Sequence, residues 1–170
     1  MSVRRVVTGI DDDGTSRFVS DGTPPYVLAN PALSGMEVTY VWATDTKPHM
    51  PSAGDDETRL DQEFFPGRDG SRFLVITYPP GFGAGPPGSE VATEDMETPV
   101  SFDQLLMHAT TTIDYGIVLQ GELTLVLDSG EEVTLRPMDT VVQNGTVHGW
   151  RNSSNETAIV AFVVIGADPA

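Results

Sequence analysis

MHATTTIDYGIVLQGELTLVLDSGEEVTLRPMDTVVQNGTVHGWRN, residues 107–152, is the stretch whose reading decides the fold. Short apolar runs alternate there with turn signals at the close spacing of a sandwich or barrel. Residues 115–119, 122–127, 132–136, 140–143 and 148–151 read as strands, and a sixth run, 157–165, follows. Their Val, Ile, Leu and Thr suit a pleated surface. Asp128-Ser129-Gly130, Pro137-Met138-Asp139, Asn144-Gly145 and Asn152-Ser153-Ser154 supply turn chemistry between them. No window has a helical period with caps. This half of the chain is expected to be all β.

Working outward toward the N-terminus, residues 36–43 and 72–78 also read as strands, as do the shorter 4–8 and 17–19. Long irregular stretches separate them: an acidic one at 55–69, ending in Pro66-Gly67, and a Pro/Gly-dense one at 79–88. Loops of that length inside a domain serve as rims or lids of a binding site, or else as solvated insertions. Gly81-Phe82-Gly83-Ala84-Gly85 is glycine-rich, but the prolines at 79, 80, 86 and 87 leave no helix start to hold a phosphate. Glu94, Asp95 and Glu97 read as a solvated acidic patch. The expected organisation is one domain over 1–170, with N-terminal strands and long loops in 1–106 and the core motifs in 107–166.

Composition narrows the partners. The chain has 170 residues, 25 acidic and 9 basic, with Lys47 the single lysine, and a net charge of −16. Such a chain repels phosphate backbones and anionic headgroups, so neither nucleic acid nor a membrane surface is an expected partner. Without cysteine there is no disulfide and no thiolate metal site. No run approaches the roughly 18 apolar residues of a span, and the first residues do not read as an export signal. The cytoplasm is the expected location, and the Asn-x-Ser/Thr triplets at Asn144, Asn152 and Asn155 are read as chance.

Three histidines exist, His49, His108 and His148. His108, Thr110, Thr112 and Asp114 share one parity and would share one face of an extended strand. Six residues of straight strand span about 20 Å, however, whereas metal ligands lie about 2.0–2.2 Å from their ion. For His108 and Asp114 to meet, the chain must bend within residues 109–113. Trp150 has the parity of His148 and is expected on the same interior face, as a wall against a ligand or as core. Tyr115 has the opposite parity to Asp114 and is expected outside. Asn152 is expected to stabilise the turn after its strand, and His49 to sit in an exposed loop.

His108–Asn152 resembles the paired motifs of the cupin superfamily. The first motif, His-x-His, then Glu, then Gly, is similar to His108-Ala109-Thr110, Asp114 and Gly121. The second, Pro-x-Gly-x-x-His-x-x-x-Asn, is matched at Gly145, His148 and Asn152. The resemblance covers about 60 residues and implies a cupin-type jelly-roll, a double-stranded β-barrel, and a homodimer. It also implies His108, Asp114 and His148 as ligands of a divalent metal. Thr110 stands in place of the second histidine, Asp114 in place of glutamate, and Gln143 and Met138 where the family favours Pro and Gly.

Two imidazoles and one carboxylate form a facial triad for Fe(II) or a three-ligand Zn²⁺ site, with Mn²⁺ and Ni²⁺ open to the same donors. Thr110, a poor ligand, would leave a position open and hydrogen-bond a bound water or substrate. The implied function is a metal-dependent enzyme acting on a small organic molecule by dioxygenation, decarboxylation, isomerisation or dehydration. The other reading is a non-catalytic barrel that binds a small molecule as sensor or store.

Overall fold

Period-2 patterning, with apolar residues inward, accounts for most of the strands in the computed structural model. It describes residues 2–30, 35–83 and 107–169, with the backbone of the short strands at 90–91 and 100–101. In chain order the strands are β1 Arg5–Ile10, β2 Ser16–Gly22, β3 Tyr26–Asn30, β4 Met36–Thr44, β5 Ser71–Tyr78, β6 Glu90–Val91 and β7 Val100–Ser101. They continue with β8 Thr112–Gln120, β9 Leu123–Leu127, β10 Glu132–Leu135, β11 Thr140–Asn144, β12 His148–Arg151 and β13 Ala158–Gly166. Among the described residues there is no helix, and so none long and apolar enough to cross a membrane. The acidic patch at Glu94, Asp95 and Glu97 lies outside the described residues.

Two antiparallel sheets face one another in a jelly-roll arrangement. The larger runs β11-β8-β13-β5-β4-β3 and the smaller β10-β9-β12, while β1-β2 and β6-β7 pair separately. The early strands thus extend one sheet by joining β5 to β13, whose register sets Phe162 opposite Leu74. Strand β3 went unread in the sequence because it is five residues long and follows Pro24-Pro25 directly. The core between the sheets contains Val38, Leu74, Ile76, Val118, Leu123, Trp150, Val160 and Phe162, all buried.

The expected bend is present at Thr111, just before β8. His108 lies on the far side of it, pairing with His148 as an isolated antiparallel bridge through two backbone hydrogen bonds of 2.9 Å. The chain therefore leaves the smaller sheet at His108 and enters the larger one at Thr112. Gly145 makes the crossing fit: its φ of +65° suits glycine, and a Cβ there would stand 2.9 Å from the Thr110 carbonyl oxygen.

Asn152 ties the far ends of β12 and β5. Fully buried, its Nδ2 donates to the carbonyls of Tyr78, Pro79 and Glu156, and its Oδ1 accepts from the backbone N–H and hydroxyl of Ser154. Its position at a turn was legible; its reach back to β5 is tertiary.

Candidate metal and ligand site

A cavity of about 330 Å³ lies between the sheets. His108, Asp114 and His148 all line it, so the fold brings the three distant residues to one space. The two imidazole centroids are 4.6 Å apart with planes at 49°. Asp114 enters from the facing sheet, opposite Val164 of β13 and Gln143 of β11.

His148 and Asp114 are each fixed from behind. The Nδ1 of His148 lies 2.9 Å from the Thr146 carbonyl oxygen. A carbonyl only accepts, so Nδ1 carries the proton and the neutral ring keeps its Nε2 lone pair for another partner. Thr112 donates its hydroxyl proton to Asp114 Oδ1 at 2.7 Å, which leaves the Thr110 hydroxyl, 2.6 Å from that of Thr112, as the donor to it. Thr110 is not among the cavity's lining residues; the structure places it behind Asp114, acting through Thr112. Trp150 does line the cavity, its ring edge-on to His148 at 6.0 Å and to Phe162 at 5.6 Å. His49 and Tyr115 are exposed and do not line it.

Burial governs the charge states. It pushes the Asp114 carboxyl up, against the Thr112 hydrogen bond and the charges of His148 and His108, which pull it down. It pushes the His148 imidazole down; the Thr146 carbonyl raises it, His108 lowers it and Asp114 raises it. Both shifts favour the neutral forms, the state in which an imidazole coordinates a cation.

The donor types fit a divalent cation: two imidazoles side by side, one with its tautomer set, and a carboxylate across the cavity. The carboxylate is not drawn up to the pair, however. Among the described residues no three His, Asp or Glu side chains are gathered closely enough to hold an ion as they stand.

The rest of the wall is apolar. Phe64 and Phe65 come from the acidic loop at 55–69 and Phe82 from the Pro/Gly-dense one, so both loops serve as rim. Buried Arg72 secures the first, donating to the Glu63, Thr44 and Ser71 carbonyls and to Asp45 Oδ1 at 2.6 Å. Phe65 then stacks at 5.6 Å on His108. The adjacent pair Phe64-Phe65 within an acidic run was the available signal in the sequence. Tyr78, also on the wall, carried none, since a tyrosine in an alternating strand reads as core.

Residues 99–165 match the family model of the cupin domain. Among curated proteins, the chain is 42% identical over 102 residues to phomopsin biosynthesis cluster protein C' of Diaporthe leptostromiformis, covering 56% of this chain and 52% of that one. It is 30% identical over 156 residues to the cupin-domain-containing oxidoreductase FogC of Aspergillus ruber, covering 88% and 64%. The chain thus spans about half the length of the first relative and under two thirds of the second. Among solved structures, the cupin domain of a transcriptional regulator from Enterobacter cloacae aligns at a TM-score of 0.36 and 24% identity, covering 59% of this chain and 83% of that one.

Proposed function

Since this chain carries a cupin domain, we propose that it is a metal-dependent oxidoreductase acting on a small organic molecule held between its sheets. The observation that carries the reading is the pair of imidazoles 4.6 Å apart, with Asp114 on the same cavity and the remaining wall almost wholly apolar. The name oxidoreductase given to the Aspergillus ruber relative supports the reaction class.

His108 and His148 would hold the ion, with Asp114 as the anionic donor. Iron(II) or zinc suits this set best, and manganese or nickel shares its ligands. When bound, such an ion supplies Lewis acidity toward a substrate oxygen and, if iron, redox chemistry with dioxygen. The chain's own residues do the rest. Thr146 keeps the His148 lone pair available, the Thr110–Thr112 relay orients Asp114, and Phe64, Phe65 and Trp150 exclude water from the bound molecule.

The experiment is dioxygen uptake and product formation by iron-loaded protein with a panel of neutral aromatic alcohols and aldehydes. Substrate-dependent turnover that disappears in His148→Ala is the expected result. No turnover with iron, zinc or manganese loaded would leave the cavity as a binding site for a small molecule, without catalysis.

We also propose that the protein acts as a homodimer joined through the outer face of the larger sheet. Val142, Tyr115, Val163 and Phe73 form one row across β11, β8, β13 and β5, and are 37–55% exposed. No outward position on these four strands is charged. Two chains of net charge −16 meet there without opposing like charges. The next residue of the row, Trp42, lies under Arg5 of β1, 5.8 Å from its ring.

A further inference from the structure

Polar groups on the cavity wall are few. Apart from His108, Asp114 and His148, the described residues lining it offer only two polar groups, the Tyr78 hydroxyl and the Trp150 indole N–H; none of them is a lysine, arginine, serine, threonine or amide. Tyr78 is 3% exposed, and its ring is held edge-on by Phe82 at 5.0 Å. Its hydroxyl has no hydrogen-bond partner among the described residues. It is not among the buried polar atoms left without a partner, so it is open to a partner entering from outside the protein.

Register places the Tyr78 backbone away from the imidazole end. Along β13, Asp114 pairs with Val164 whereas Tyr78 pairs with Ala158, six residues and about 20 Å of strand apart. Between them the wall is Leu74, Ile76, Trp150 and Phe162.

We infer that the cavity takes a neutral molecule with an apolar, aromatic or alkyl body and an acceptor oxygen that the Tyr78 hydroxyl binds. Burial raises the phenol's proton affinity, which keeps the group a donor. In the metal-free cavity an anion is disfavoured twice: no lysine or arginine among the described lining residues would pair with it, and an ionised Asp114 would repel it. Tyr78 thereby sets specificity by selecting for oxygen, and the aromatic wall selects for the body.

This inference rests on the reading above only in taking the same cavity as the ligand site, and its test needs no metal. Metal-free protein is titrated calorimetrically with 2-acetylnaphthalene, 2-ethylnaphthalene and 2-naphthoate. The ketone is expected to bind roughly tenfold tighter than either of the others. In Tyr78→Phe the ketone should fall to the level of the hydrocarbon, whose own affinity and the protein's melting temperature stay unchanged. Naphthoate binding as well as the ketone would overturn the inference. So would a ketone preference that survives Tyr78→Phe, or no binding of any of the three. If the ketone preference holds while no metal is retained, the enzyme reading alone fails; if metal and turnover hold while the preference is absent, this inference alone fails.

Discussion

His148 is kept neutral by its surroundings, and that has a consequence for stability. Burial depresses the imidazole below its ordinary 6.5, so the unfolded chain takes up a proton at a higher pH than the folded one. As pH falls below 6.5 the unfolded state is favoured, by at most about 1.4 kcal/mol per pH unit for this one group, until the depressed folded value is passed. Asp114 has the opposite sign. Its folded carboxyl is raised above 3.8, so acidification through that raised value restores stability rather than removing it. Metal-free protein should thus melt at progressively lower temperature from neutrality to mildly acid pH, and His148→Gln should flatten that slope. Parallel pH profiles for the two proteins would contradict it. Of these residues, His108, Asp114 and His148 were singled out by resemblance; parity alone put His108 and Asp114 on one face, too far apart on a straight strand to meet without a bend. Thr110 was read toward a ligand, and the structure turns its hydroxyl to Thr112 because the bend sets that partner 2.6 Å away. Met138 occupies a turn at φ +78°, the conformation that explains a family preference for glycine there.

Strand β13 is apolar on both faces, the pattern of a strand covered on each side, and β8 is apolar on its outer face while its inner face carries Thr112 and Asp114. Inward, Val118, Val160, Phe162 and Val164 fill the core; outward, the uncharged row lies open among the described residues. In sedimentation velocity the protein is expected at twice its 18.2 kDa, and the double variant Tyr115→Glu, Val142→Glu at the single-chain mass with its fold intact. A wild-type monomer at micromolar concentration, or a dimer that ignores the two charges, would sink the proposed interface. The sequence announced the strands of this sheet through alternation and turn chemistry. It did not announce that β5 would lie between β4 and β13, because strand order depends on long-range pairing and leaves no local mark. The bend at residue 111 was required by arithmetic on strand length, but its partner, the His108–His148 bridge, was not visible locally.

At the scale of the molecule, two sheets enclose an apolar cavity whose imidazole-bearing end is shared between them. His108 and His148 stand on one side and Asp114 on the other, while two long loops add the aromatic rim. The cavity's existence was implied by resemblance; its character was not, since Phe64, Phe65, Phe82 and Tyr78 reach it only through the tertiary fold. The acidic composition and the apolar interior are separate features: the first would repel a phosphate backbone, and the second would favour a ligand with an apolar body. Elemental analysis of untagged protein, beside His148→Ala, tests the centre of this account most directly. About one divalent ion per chain is expected in the wild type, lost in the variant and lost on acidification as the imidazoles protonate. A wild type free of metal after reconstitution, or a variant that retains the full equivalent, would contradict it.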